Sequence, residues 1–283
     1  MHSNGYAVLL ASISAVLIAI GTVWRHRILR AGRSRDQANE APLAALRYPA
    51  WWASLALALA AYGFQVAALA FGSLLVVQPI LVLSLMLTLM MSARAERRQM
   101  SAREVFWAVV LTVCVAVVVL LGRPLPGTRA VPGWEWGVVV GVGIIAGTIA
   151  CALAYRRSPT TQALTFGLTC GAIYGYLAVF AKVAVDILTT YGLTTMLLSW
   201  QLWAVVACSI LGVVVQQYAF GAGELTLSLP ANKVAEPLVA LLLGYTLLGE
   251  EFSVGSWGLV VMGASISGML LAAAMLTFVT TKP

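Results

Sequence analysis

The sequence predicts an all-α fold: a polytopic membrane helix bundle of about nine transmembrane helices forming two inverted repeats, four plus five. Three observations predict it: an extreme composition, apolar runs of spanning length, and a pattern that recurs five runs apart. Of the 283 residues, 61% are hydrophobic and 10% charged. Soluble domains average about 45–50% and about 25%. A water-soluble globule of this length would be covered in apolar patches. A soluble enzyme, a disordered chain and a disulfide scaffold are thereby excluded.

A spanning helix needs about 20 mostly apolar residues. The first run, 4–24, lacks a basic leader and a clear small-residue cleavage site, so a retained helix is expected, not a signal peptide. Residues 25–49 then form a polar, Arg-rich loop or surface helix. The runs 50–71, 73–93 and 103–122 follow. Residues 122–133 (GRPLPGTRAVPG) are punctuated by Pro and Gly and read as irregular loop. The second group comprises 134–155, 161–185, 197–220, 226–248 and 255–278. Trp51, Trp52, Trp134, Trp136, Trp200 and Trp203 sit at run ends, where indoles anchor at the membrane interface. No stretch fits a separate soluble domain.

Basic residues number 17 against ten acidic, and 14 of the 17 are Arg. They cluster in loops between apolar runs, which favours membrane orientation over nucleic-acid binding, and no nucleic-acid partner is expected. Arg25, Arg27, Arg30, Arg33, Arg35 and Arg47 fill the first loop. Arg94, Arg97, Arg98 and Arg103 flank the link after the third run, and Arg156 and Arg157 follow the fifth. Arg123 and Arg129 are the exceptions. The balance puts the N-terminus outside and the C-terminus in the cytoplasm, across a plasma (inner) membrane. Arg-over-Lys, Ala- and Val-rich usage points to a bacterial source.

Cys114, Cys151, Cys170 and Cys208 lie inside apolar runs without metal spacing and read as small apolar filler. His2 and His26 are the only histidines, so no metal site and no His-based triad is expected. No GxSxG, HExxH or paired Asp-rich motif marks an enzyme, and no cofactor is expected.

The third run contains QPILVLSLMLTLM (Gln78 to Met90) and the eighth EPLVALLLGYTLL (Glu236 to Leu248). Each opens with a polar residue and Pro, continues Leu-rich, and is followed by a charged link, a Ser (Ser101, Ser253) and a Trp (Trp107, Trp257). Upstream, Gln65 precedes AALAFGSL and Gln217 precedes YAFGAGEL, and Arg25 pairs more weakly with Lys182. Units five helices apart point in opposite directions, because five is odd. That is the inverted-topology architecture of many secondary transporters, with halves at 1–133 and 134–283.

AFGSLLVVQPILVL and AFGAGELTLSLPANKVAEPLVALLLGYTLLGEE resemble the two corresponding segments of the drug/metabolite transporter superfamily, EamA-like. GLTCGAIYGYLAVFAK (Gly167 to Lys182) resembles a small-residue-rich helix of the same transporters. Glu250 matches the acidic residue that closes the Pro-bearing helix in the second half, and Glu96 matches it more loosely in the first. Nine helices with an outside N-terminus are closer to the NIPA-like branch, which is associated with magnesium transport. The resemblance implies transport of a small molecule across the membrane; it says little about cargo.

Ionisable groups within a bilayer are costly and are candidate functional groups. Glu236 lies near the middle of the eighth run, with Lys233 one turn earlier and Asn232 beside them. Pro230 and Pro237 leave the carbonyls of Thr226 and Lys233 without helical donors, and Pro79, beside Gln78, does so for Leu75. Freed carbonyls beside a carboxylate suit a cation or polar substrate, while a self-neutralised Lys233–Glu236 pair could instead fix helix packing. If that helix begins at Pro230, Glu236 lies only a third of the way along it. Gln65, Gln217 and Tyr174 are candidates for a cavity wall or for interhelical hydrogen bonds. Lys182 and Asp186, spaced i, i+4, could equally snorkel to the interface. The expected activity is secondary transport of a small organic or amphipathic metabolite, with proton or cation coupling open. A NIPA-like Mg²⁺ path and a flippase for a lipid-linked sugar are the alternatives. Expected partners are membrane lipids and a small-molecule or lipid-linked substrate; a homodimer stays open.

Overall fold

The computed structural model describes residues 4–33, 49–95, 99–122, 124–125, 127, 129, 131–221 and 225–281. Among them it is an all-α bundle of ten helices with one two-stranded ribbon. In order these are α1 (Asn4–Arg33), α2 (Pro49–Phe71), α3 (Leu74–Ala95), α4 (Ala102–Leu121), β1 (Pro124–Leu125) and α5 (Gly133–Ala154). There follow α6 (Pro159–Tyr191), α7 (Leu193–Leu198), α8 (Trp200–Gly221), α9 (Leu225–Thr246), β2 (Glu251–Phe252) and α10 (Ser256–Thr281). Each apolar run of the sequence coincides with one of the nine long helices; the six-residue α7 was not anticipated. Among the described residues five helices are long and apolar enough to cross a membrane: α3, α4, α5, α6 and α10.

Three departures from the sequence reading have plain causes. The helix α1 continues to Arg33, into the stretch expected as loop or surface helix, because no Pro interrupts 25–33. The helix α6 runs to Tyr191, past the expected end, because Lys182 and Asp186 pair along it at 2.9 Å and their polarity does not break it. The link 122–133 is not wholly irregular: β1 pairs antiparallel with β2, Pro124 opposite Phe252 and Leu125 opposite Glu251.

Contacts at one end of the bundle establish how the helices run. The ribbon joins the α4–α5 link to the α9–α10 link. The Nζ of Lys182, late in α6, donates to the carbonyl of Leu69, late in α2, at 2.9 Å. Tyr6 in α1 meets Phe71 in α2, ring centroids 5.8 Å apart. Trp136 near the start of α5 lies 5.3 Å from the ring of Trp200 at the start of α8 and 5.5 Å from Phe180 of α6. Trp136 is therefore buried in an aromatic trio and does not anchor at an interface, as its place at a run end had suggested. Together these contacts gather the starts of α1, α3, α5, α8 and α10 with the ends of α2, α4, α6 and α9, so successive long helices alternate in direction. We call this the ribbon end. Arg94, Arg103, Arg156 and Arg157 belong to the opposite end.

The tightest packing is the seam of α6 on α9. A Cβ on Gly171 would lie 2.5 Å from the carbonyl oxygen of Asn232, and one on Gly175 2.7 Å from Cβ of Val239. Small residues let the two backbones approach, which is how helices gain contact where lipid is as apolar as leucine.

Candidate functional site

Between α3 and α9 lies a cavity lined by Gln65 of α2, Gln78 and Ser84 of α3, and Lys233, Glu236 and Pro237 of α9, completed by aliphatic side chains of α1, α3 and α10. It has about 40 Å³ open to water centres. That is room for roughly three waters. The geometry follows from the helix positions. Glu236 is the twelfth of the 22 residues of α9, because the helix starts at Leu225 and not at Pro230. It therefore sits at the helix midpoint, deeper than a start at Pro230 would give. Gln78 is the fifth residue of α3, about 6 Å from its start at a rise of 1.5 Å per residue.

Chemically the cavity is under-satisfied. Gln78 is 1% exposed and its Nε2 has no hydrogen-bond partner. Such a buried donor costs about 1–3 kcal/mol unless something fills the site. Lys233 Nζ and Glu236 Oε2 stand 3.9 Å apart, beyond hydrogen-bonding reach, with side chains 45% and 26% exposed. A pair this loose does not lock itself, so both groups keep capacity for a ligand. Pro237 removes the donor for the Lys233 carbonyl on the same wall. The chain offers here one carboxylate, one ammonium, two amides and a hydroxyl. Among the described residues no group of three or more His, Cys, Asp or Glu could hold a metal ion.

The other candidates fall elsewhere. Asn232 lies in the α6–α9 seam, its Nδ2 3.6 Å from Cys170 Sγ and its Oδ1 without a partner. It is about 40° round the helix from Glu236 (four residues at 100° each), enough to turn it from cavity to seam. Tyr174 faces α8, its hydroxyl 3.3 Å from Gln216 Oε1, against Gly212. Lys182 is at the ribbon end. Pro79 is inside α3 next to Gln78. The side chains of Gln217 and Pro230 lie outside the described residues, as does Glu96.

A second polar cluster, at the ribbon end, was only partly legible in the sequence. The carboxylate of Glu250, fully buried, accepts from the backbone N–H groups of Leu74 (2.8 Å) and Leu75 (3.0 Å), the first two residues of α3. Gly249, with φ +67°, turns the chain back after α9 so that Glu250 N–H donates to the Gly244 carbonyl at 3.0 Å. Burial pushes the Glu250 carboxyl up to about 7, against the opposing pull of the two N–H groups and Lys182. Nearby, Arg129 donates to Glu135 at 2.6 Å and to the Thr246 carbonyl at 3.4 Å, at the end of α9. That local pairing accounts for one of the two arginines that broke the charge asymmetry.

Helices that turn Val109, Val142, Ile145 and Ile210 outward, each more than half exposed, present an apolar exterior consistent with lipid contact. The molecule is a polytopic, largely helical membrane protein. An uncharacterized protein of the bacterium Corynebacterium glutamicum is 45% identical over 284 residues, spanning 100% of this chain and 98% of its own length, and the chain belongs to the same family as that protein. No family model matches the chain. No solved structure matches it either.

Proposed function

We propose that the protein is a secondary transporter, moving a small organic or amphipathic metabolite across the plasma membrane by alternating access of two inverted halves, 1–133 and 134–283. The observation that carries this reading is the cavity at mid-bundle. There an unpartnered buried amide faces a loose ion pair on two Pro-bearing helices that the repeat matches to each other. Packing supports the repeat. With α1 matched to α6, α2 to α8, α3 to α9 and α4 to α10, the contact α1–α2 corresponds to α6–α8, α1–α3 to α6–α9 and α3–α4 to α9–α10. The pairs α3–α9 and α4–α10 join the halves, and α5 is the extra helix of the second half. This agrees with the resemblance to the nine-helix, NIPA-like branch of the drug/metabolite transporters, with the ribbon end outside.

In this mechanism Glu236 takes up a proton or a cationic group of the cargo by turns, while Gln65, Gln78 and Ser84 hydrogen-bond the cargo's polar atoms. Lys233 opposes Glu236 and balances its charge when no cargo is bound. Space for roughly three waters describes a narrow state; cargo enters as the halves part. Mg²⁺ is less well served, since it dehydrates reluctantly and favours several oxygens over one carboxylate beside an ammonium. A lipid-linked sugar needs a far wider opening. The protein acts as a carrier and not as an enzyme.

Proteoliposome transport tests this, with the cargo taken from a thermal-shift screen of metabolites, lipids and divalent ions. Glu236→Gln is expected to lower coupled flux at least about tenfold, equivalent to about 1.4 kcal/mol. Unchanged coupled flux in that variant would remove Glu236 from the mechanism.

A further inference from the structure

We propose that Glu250 is the latch that closes the cavity on the ribbon side, and that withdrawal of its carboxylate from the start of α3 opens the cavity to the outside. The proposal rests on the transport reading, because a gate has a role only if the cavity is reached from two sides.

The latch joins distant parts of the chain. Glu250 reaches back 176 residues to Leu74. Three further contacts at the same end cross the same division at 133/134: β1 to β2, Lys182 to the Leu69 carbonyl, and Arg129 to the Thr246 carbonyl. Beneath the carboxylate, Leu74, Leu75, Val76 and Val77 are all 0–1% exposed and form the plug between the ribbon end and Gln78. The first turn of α3 thus stands between the ribbon end and Gln78. The carboxylate fits closely: a Cβ on Gly244 would lie 3.1 Å from its Oε2. It also supplies what α3 lacks, since the first N–H groups of a helix have no partners within the helix and favour negative charge.

The charged groups around it are Lys182 and Asp186 on α6, Arg129 beside Gly249, and Glu251 next in the chain; α3 presents N–H groups and α9 presents Gly244. Buried in the latch, the carboxyl titrates near 7. Freed into water it returns to about 4.3. The proton is therefore held more tightly in the latched form. Acid favours the closed state, and closure weakens as pH rises through 7. Glutamine at this position keeps one oxygen to accept from α3 but sets its NH2 against the second N–H, so it holds the latch less firmly than glutamate, more firmly than alanine, and without a pH response.

The test is the labelling rate of a cysteine at Leu81, on the cavity wall, by a membrane-impermeant maleimide in a cysteine-free background. Vesicles of both orientations are used. Outside labelling is expected to rise at least about tenfold in Glu250→Ala at pH 6 and by clearly less in Glu250→Gln, which retains one of the two acceptor contacts. The ratio of the Glu250 protein to Glu250→Gln, which cancels the pH dependence of the thiol itself, is expected to rise between pH 6 and 8. Leu74→Pro is the second variant should Glu250→Ala fail to fold. It removes one donor to the carboxylate at a position where a helix tolerates proline, and it should raise outside labelling at least about threefold. Labelling in Glu250→Ala or Leu74→Pro at the rate of the parent, or a rise confined to the cytoplasmic face, overturns the latch. Labelling requires no cargo, so a parent protein that moves no cargo in proteoliposomes would overturn the transport role without touching this result.

Discussion

The helices α5 and α6 are consecutive, long and apolar, yet they sit in opposite surroundings. Over their apolar windows 6% of α5 is buried and 61% of α6. The difference does not follow apolarity: α6 is the one carrying Lys182, Asp186 and the Tyr174 hydroxyl. In water the more apolar helix would move inward. In a bilayer lipid solvates it equally well, and what draws a helix inward is close packing and polar pairing. Most glycines show the same contrast, Gly143 of α5, against Tyr176 of α6, being an exception. A Cβ on Gly171 or Gly175 of α6 would strike α9, whereas on Gly133, Gly137 and Gly141 of α5 it would meet nothing within 4 Å.

Substitutions can break that contrast at either helix. The largest effect is expected for Gly171→Leu, which drives a side chain into the Asn232 backbone. It should cost about 3 kcal/mol or more, read as a drop in Tm in detergent; unchanged melting would mean that α6 and α9 are not in close contact. Lys182→Met comes next, since it strips the buried ammonium from the Leu69 carbonyl and from Asp186. About 2 kcal/mol is expected, typical of hydrogen bonds to a charged group. A value near zero would make Lys182 a snorkelling residue after all. Gly137→Ala on α5 should stay within about 0.5 kcal/mol; a large loss there would show that the open face at Gly137 has a partner.

The helices were legible because each needs about 20 apolar residues, and the bilayer enforces that length. The cavity was legible for a related reason: Gln65, Gln78, Lys233 and Glu236 stand out as polar groups in apolar helices, and all four line it. Polarity does not reveal facing, however. Asn232, as polar as Gln78, turns into the α6–α9 seam, and Tyr174 turns to α8. The role of Glu250 in α3 was the least legible, because no local periodicity ties a residue in one link to backbone N–H groups some 175 positions earlier. The β1–β2 ribbon was missed because two-residue strands in a Pro- and Gly-rich link carry no alternation to read.

That separation in sequence has a consequence for how the protein is made. Ribosomes add about 5–20 residues per second, with domains forming as the chain emerges. The start of α3 therefore waits about 10–35 s for the carboxylate 175 residues later. Until Glu250 arrives, the first two N–H groups of α3 lack the acceptor that the folded protein gives them, and a chain truncated before residue 250 never gains it. A residue made late thus completes a helix made early.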